Sequence, residues 1–186
     1  MRSRAVVLAA VLAMPPSAGA MEVAGVSFPR TVQAAGKTLT LNGAGLRTRF
    51  FFKVYVIGLY LEHPSSDASA ILAADEVRRA ELHMLRTVSA SEMGDAIADA
   101  FNANAGSAGP QLKERLDRFK ALFPRATEGE VITLTYVPGT GTVVGAGGRD
   151  LGTIPGKDFA DVLFSAWIGA APVDASLKKA LLAGSS

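Results

Sequence analysis

The stretch that decides the fold runs from Leu46 to Glu62 and reads LRTRFFFKVYVIGLYLE. It is rich in aromatic and β-branched residues and has no helical period, so it predicts one long β-strand. Alternation divides its side chains between two faces. The nearly apolar face, expected to back onto the main core, carries Phe50, Phe52, Val54, Val56, Gly58 and Tyr60. The mixed face, which suits a pocket wall, carries Arg47, Arg49, Phe51, Lys53, Tyr55, Ile57 and Leu59.

Shorter patterns before this strand predict the start of a sheet. Loose alternation from Glu22 to Phe28 indicates a first strand, and Lys37 to Leu41 alternates again. The run Asn42-Gly43-Ala44-Gly45 is typical of a turn, because glycine tolerates positive φ. The three consecutive phenylalanines at 50–52 are expected to divide between two buried layers.

Later segments alternate between helical and strand periods. Ser89 with Glu92 forms a capping box that predicts a helix to about Asn104. The predicted helices are 69–74, 89–104, 158–168 and 175–182, with one more whose buried stripe lies within 112–123. The predicted strands are 79–87, 131–137, 142–146 and 150–154. Strands come first, helices cluster in the middle and hairpins return. This order predicts an α+β fold with an antiparallel sheet and a helical layer on one face.

The first 20 residues are typical of a secretory signal peptide. Arg2 and Arg4 precede an apolar run from Ala5 to Met14, and Ala18-Gly19-Ala20 provides the small residues of a cleavage site. The run is too short for a bilayer, which requires about 20 apolar residues. We therefore expect cleavage after Ala20, a single domain over 21–186, and a periplasmic or secreted product with no stable membrane anchor.

Charge and composition exclude several classes of function. Two of the 19 basic residues lie in the leader, so the mature chain carries 17 basic and 17 acidic residues and gives no support for nucleic-acid binding. The chain contains no cysteine, which excludes thiol catalysis and thiolate metal sites. With only two histidines we expect no metal site and no cofactor.

Four segments in the right order resemble the chalcone isomerase superfamily, in particular its bacterial exported branch. They are LNGAGLRTRFFFKVYVIGLYLE at 41–62, LRTVSASEM at 85–93, EGEVITLTYVPGTGTVV at 128–144 and IPGKDFADVLFSAWIG at 154–169. The resemblance covers almost the whole mature chain. It implies an open-faced β-sandwich with a ligand cleft between the sheet and the helices.

The resemblance also implies candidate site residues. In the plant enzymes of the superfamily, an arginine after the glycine-rich turn polarises the substrate oxygen, and Arg47 matches it. A strand threonine follows there, and Tyr55 matches that position here. The fatty-acid-binding relatives hold a carboxylate with an arginine and a tyrosine, which Arg47 with Tyr55 resembles. The plant enzymes also place a tyrosine and an asparagine on the first cleft helix, where this chain has Met93, Asp95 and Asp99.

Three functional hypotheses follow from these residues. The first is a non-catalytic protein that binds a small apolar ligand, such as a fatty acid, with an anionic or carbonyl head. Arg47 and Tyr55 would hold the head with Arg86 as a second cation, and the tail would contact Ile57, Leu59, Met93, Ile97 and Phe101. The second is an isomerase or intramolecular lyase of the chalcone type with Arg47 and Tyr55 as catalytic residues. The third is a structural or partner-binding envelope protein. Whether Arg47 or Arg49 faces the cleft, and the oligomeric state, stay open.

Overall fold

The fold comes from a computed structural model that describes residues 19–123 and 125–184. The apolar run of the predicted leader lies outside the described residues. The described part begins just before the first strand, β1, at Met21. None of the helices in the described part is both long and apolar enough to cross a membrane.

In the described residues, nine strands form two antiparallel sheets. The strands are β1 (Met21–Val23), β2 (Val26–Phe28), β3 (Thr31–Ala34), β4 (Lys37–Arg49), β5 (Phe52–Leu61), β6 (Arg78–Met84), β7 (Val131–Val137), β8 (Gly141–Ala146) and β9 (Arg149–Ile154). Strands β3 to β9 form one seven-stranded sheet in sequence order, and β1 and β2 form a separate hairpin. The predicted first strand over 22–28 is therefore two strands, joined by a turn in which Ala24 and Gly25 have positive φ.

The prediction of one long strand over 46–62 is wrong. The chain reverses at Phe50 and Phe51, so the segment forms the end of β4 and the whole of β5 as a two-residue hairpin in which Arg49 pairs with Phe52. Phe50 has φ of +55°, a conformation that two-residue hairpin turns usually fill with glycine or asparagine. No turn residue marks the reversal in the sequence, which is why strand propensity alone missed it.

The expected turn at 42–45 is also wrong, because these residues lie within β4. Leu41 pairs with Tyr60 and Gly43 with Leu59, which leaves Asn42 as an extra residue in a β-bulge. The glycines serve close packing instead of a turn. A Cβ on Gly43 would lie 2.3 Å from the carbonyl oxygen of Ala180 in the last helix.

Within the part of the chain that the structure describes, five helices and a short 3-10 turn accompany the sheets. The helices are α1 (Ala68–Ala73), α2 (Ala90–Ala105), α3 (Gly109–Leu122), α4 (Lys157–Ile168) and α5 (Ala175–Leu181). The capping box at the start of α2 is present, with the Ser89 side chain accepting from the Glu92 backbone and the Glu92 carboxylate accepting from the Ser89 backbone. The main core lies between the helices and one face of the sheet. This architecture confirms the predicted α+β fold.

The two faces of β5 are buried in the opposite sense from the prediction. Tyr55, Ile57 and Leu59, assigned to the mixed face, lie in the main core under the helices. Val56 and Tyr60 instead join a smaller apolar cluster around Phe28, on the face that the β1–β2 hairpin covers. Both faces of the strand are apolar from residue 56 to 61, so hydrophobicity alone did not show which one the helices cover.

Candidate functional site

A cavity of about 400 Å³ opens between the tip of the β4–β5 hairpin and the helices α2 and α4. That volume lies within the range of about 300–1,000 Å³ typical of small-molecule sites. Its wall has an apolar part, formed by Val54, Tyr55, Val88, Met93, Ala96, Ile97, Ala166, Trp167 and Val173. The part nearest the hairpin tip carries Arg47, Arg49, Phe50, Phe52, Arg86 and Glu92.

Arg47 and Tyr55 are direct cross-strand partners in the β4–β5 hairpin. Directly opposite residues of an antiparallel pair have Cβ atoms about 4.5–5.5 Å apart and point to the same face. On one continuous strand, eight residues would have separated them by about 26 Å. The turn at Phe50 and Phe51 is therefore what brings this guanidinium and this phenol to one end of the cavity.

Tyr55 is almost fully buried, and its hydroxyl oxygen accepts a hydrogen bond of 3.0 Å from Trp167 Nε1 in α4. Burial raises the pKa of Tyr55 above its ordinary value, although the Trp167 hydrogen bond and the Arg47 charge oppose that shift. The phenol therefore keeps its proton at neutral pH. The Tyr55 oxygen accepts from Trp167, so this hydrogen bond does not use the hydroxyl proton of Tyr55. That proton can be donated to a ligand in the cavity.

Arg47 is held at the base of the β4–β5 turn by two contacts of Nη1. That nitrogen donates to the backbone carbonyl of Thr48 and lies 3.5 Å from Oδ2 of Asp174. The other carboxylate oxygen of Asp174 accepts from the backbone N–H groups of Ser176 and Leu177 and so caps α5. Hydrogen bonds from Ser176 and α5, together with Arg47, hold the pKa of Asp174 below its usual range. The guanidinium is thus oriented by a carboxylate that stays charged.

The mouth of the cavity is cationic and aromatic. Arg86 stacks over the ring of Phe52, with 5.1 Å between the guanidinium carbon and the ring centroid, and Arg49 lies 5.9 Å from that of Phe50. Three arginines and one carboxylate line the cavity. That carboxylate, Glu92, accepts from Ser89 in the capping box, and this hydrogen bonding lowers its pKa. The lining therefore has a positive balance that suits an anion.

Residues 20–183 match the family model described as chalcone isomerase-like. The chain belongs to the chalcone isomerase-like family. Among solved structures it resembles a fatty-acid binding protein from Arabidopsis thaliana, with a TM-score of 0.70 and 18% identity over 88% of this chain and 96% of that chain. At this identity the likeness concerns the fold. A comparison with curated proteins found no match.

This chalcone isomerase-like protein brings together five of the eight residues proposed from sequence. Arg47, Tyr55, Arg86, Met93 and Ile97 all line the cavity. Ile57, Leu59 and Phe101 do not line it and are fully packed in the main core. Arg47 and Arg49 both reach the cavity, and Arg47 is the more buried of the two. The roles of these residues in holding a ligand stay predictions.

Sequence reasoning missed much of the wall of the cavity. Trp167 lies in the predicted helix 158–168 but was not among the proposed site residues, and Phe50 and Phe52 were expected in buried layers, yet all three line the cavity. A single tryptophan on an apolar helix face carries an N–H donor that needs a partner when buried, and this was the available signal. Val54 is the extra residue of a second β-bulge between the Arg47–Tyr55 and Thr48–Lys53 pairs, which a sequence pattern cannot show.

A second cavity, of about 200 Å³, lies between α1 and the far end of β5 and β6. It is smaller than typical small-molecule sites. Arg78 on its wall is 2% exposed, and it contacts Asp161 and stacks over Tyr136 and Phe164. These contacts tie the sheet to α4, so the buried arginine has a structural role there.

The cavity beside the hairpin tip is better suited to binding than to acid–base catalysis. Among the described residues that line it, the titratable groups are three arginines, the capping Glu92 and the buried Tyr55. His83 lies elsewhere, on β6, where its ring packs edge-on against Phe28. A general base requires a group whose pKa is close to the working pH. The lining offers cations and a phenol proton donor, which recognise an anion or a carbonyl oxygen.

Proposed function

We propose that this chalcone isomerase-like protein binds a small apolar molecule with an anionic head, such as a fatty acid, without transforming it. The single observation that carries the proposal is the pairing of Arg47 with Tyr55 at one end of a cavity that is otherwise mostly apolar. The fold of a fatty-acid binding protein supports the same class of ligand.

The head of the ligand lies against Arg47 and Tyr55. The contacts of Arg47 with Thr48 and Asp174 both use Nη1, so Nε and Nη2 can take a carboxylate through the planar fork of the guanidinium. The Tyr55 hydroxyl adds one donor, and Arg86 adds a second positive charge nearer the mouth. The tail lies against Met93, Ile97 and Trp167, which are each at most 4% exposed.

The protein is proposed to act outside the cytoplasm. The support is the leader pattern of residues 1–20 and the position of the first strand, which begins at Met21, directly after the proposed cleavage site. Sequencing the N-terminus of the protein recovered from the exported fraction of its host tests this, because Met21 should be the first residue.

The head-group role is tested with Arg47→Ala and a pair of ligands of equal chain length, dodecanoate and dodecanol. A charge-assisted hydrogen bond contributes about 1.5–3 kcal/mol, so we expect about a 10- to 100-fold loss of affinity for dodecanoate. The affinity for dodecanol should change less than about threefold, because the alcohol makes no charge-assisted contact. Isothermal titration calorimetry of delipidated protein measures both.

The matched control is Arg118→Ala, an exposed arginine on α3 outside this cavity, which should leave both affinities unchanged. Equal losses for the acid and the alcohol in Arg47→Ala would contradict the head-group assignment. The isomerase alternative has a separate readout, the stereospecific cyclisation of a chalcone above its spontaneous rate, and the account expects none.

A further inference from the structure

The tip of the β4–β5 hairpin exposes three aromatic rings to solvent. Phe50, Phe51 and Phe52 are 85%, 96% and 61% exposed. Among the described residues, these three are the large hydrophobic side chains that are exposed to solvent. A phenylalanine side chain presents about 150–250 Å² of surface. Contiguous apolar surface of this kind marks an interaction site on a protein that otherwise buries its large apolar residues.

The backbone at the tip is also costly for these residues. Phe50 adopts a φ of +55°, where a side chain with a Cβ clashes with the backbone and glycine or asparagine is usual. The exposed ring of Phe50 makes no compensating contact with the core. Phe50 disfavours the turn and stays in solvent, so folding does not explain why phenylalanine occupies this position. We infer that it serves an interaction with another molecule.

Positive charges surround the rings. Arg49 and Arg86 lie over the rings of Phe50 and Phe52, and Lys53 is exposed on the next residue of β5. The carboxylates Glu92, Asp95 and Asp99 lie along α2, on a neighbouring groove that Arg47 and Arg49 also line. Aromatic rings with flanking lysines and arginines are the composition of segments that settle at the interface of an anionic bilayer.

We propose that the Phe50–Phe52 tip docks on an anionic lipid surface. The rings enter the headgroup region, and Arg49, Lys53 and Arg86 pair with lipid phosphates. A protein partner fits less well, since the exposed fractions of the three phenylalanines amount to about 600 Å² at most, and a specific interface needs about 800 Å² per partner. Ring insertion into lipid needs no such area.

Docking would place the mouth of the cavity at the lipid surface, since Phe50 and Phe52 belong both to the tip and to the cavity wall. An apolar ligand could then pass between the bilayer and the cavity without crossing water. That route rests on the proposed binding function, whereas the docking itself does not.

The test is co-sedimentation of the purified protein with vesicles of phosphatidylcholine alone or with about 30% phosphatidylglycerol, in the absence of fatty acid. We expect about tenfold tighter binding to the anionic vesicles. Phe51→Ser, at a residue outside the cavity wall, should lose about tenfold or more. Lys53→Glu should lose more than fivefold, while the matched charge reversal Arg118→Glu should change binding less than twofold.

Two further variants separate docking from folding. Phe50→Gly should weaken vesicle binding while raising the thermal midpoint by a few degrees, because glycine relieves the positive φ. Phe51→Trp should keep vesicle binding, and its emission should shift to the blue on anionic vesicles after subtraction of the buried Trp167 signal of the wild type.

Three results would overturn the proposal. One is the absence of vesicle binding by the wild type, and another is equal vesicle binding by the wild type and Phe51→Ser. The third is a concentration-dependent dimer in light scattering that Phe51→Ser dissociates, with no affinity for vesicles, since a second copy would then be the occupant of the tip. Loss of docking with dodecanoate binding intact would leave the proposed function standing and remove only the docking.

Discussion

Tyr55 connects the sheet to the helical layer at the candidate site. Its backbone lies opposite Arg47 on β4, and its hydroxyl oxygen accepts from Trp167 on α4. One residue therefore fixes the distance between the cation and the apolar wall. A phenylalanine at this position would fill the same volume but would leave the indole N–H without its acceptor.

At this residue scale we predict that Tyr55→Phe loses both stability and affinity for dodecanoate. The free energy of unfolding should fall by about 1–3 kcal/mol, the cost of a buried donor left without a partner. The affinity for dodecanoate should fall about three- to tenfold, since one hydrogen bond to the head is lost. Denaturant unfolding and calorimetry measure the two effects.

Tyr60→Phe is the control for that change. Tyr60 donates to the carbonyl of Pro29 on the opposite face of the sheet, so its removal should affect stability but leave dodecanoate affinity unchanged. If Tyr55→Phe bound dodecanoate as tightly as the wild type, the phenol would not hold the head.

At the scale of elements, α5 lies directly on β4 because two glycines leave space for it. A Cβ on Gly43 would meet the backbone oxygens of Ala180 and Leu181, and one on Gly45 would meet the side chain of Leu177 at 2.6 Å. The buried Asn42 side chain donates to the carbonyl of Leu181 at 2.8 Å and so fixes the end of the helix. The contact matters for the site because the residue that caps the start of α5 is Asp174, the carboxylate that orients Arg47.

We predict that Gly43→Ala displaces α5 and destabilises the protein. Overpacking against backbone atoms costs about 1–3 kcal/mol, which corresponds to a thermal midpoint lower by about 2–4 °C for each kcal/mol. Dodecanoate affinity should fall as well, because Arg47 loses its partner. Calorimetric melting and titration check the two outcomes.

Gly94→Ala in α2 is the matched control, because its Cβ would meet Lys120 only at an ordinary 3.7 Å. It should raise the free energy of unfolding by about 0.5–1 kcal/mol through helix propensity. Gly43→Ala with wild-type stability would show that α5 does not lie on β4 as described.

Elements with strong local signals were predictable from sequence. The strand over 131–137 alternates cleanly, and the capping box at Ser89 marks the start of α2. The β4–β5 hairpin was not, because its turn contains phenylalanines, and its first strand contains Asn42, Gly43 and Gly45, which are typical of turns. In both the glycine stretch and the phenylalanine turn, the structure departs from the local sequence preference. The glycines lie in a strand because α5 packs closely against them. The exposed phenylalanines of the turn have no such packing role.

At the scale of the whole molecule, the order of elements in the sequence was enough to predict the fold but not the cavity. Strands followed by helices and returning hairpins predict an antiparallel sheet with helices on one face, and the structure has that arrangement. The cavity wall combines β4, β5, α2 and α4 with the segments after β6 and α4, which lie far apart in the chain. Their convergence depends on two bulges and a tight turn. The family resemblance could therefore point to Arg47 and Tyr55, but no periodic pattern in the sequence could predict the wall around them.

The measurement that tests the central claim most directly is native mass spectrometry of the protein purified without delipidation from its own host, followed by extraction of the bound molecule. The account predicts an apolar molecule with an acidic head at about one per chain, largely lost from the Arg47→Ala, Tyr55→Phe double variant. An empty protein that also takes up no dodecanoate, or a bound molecule retained equally by the double variant, would contradict it.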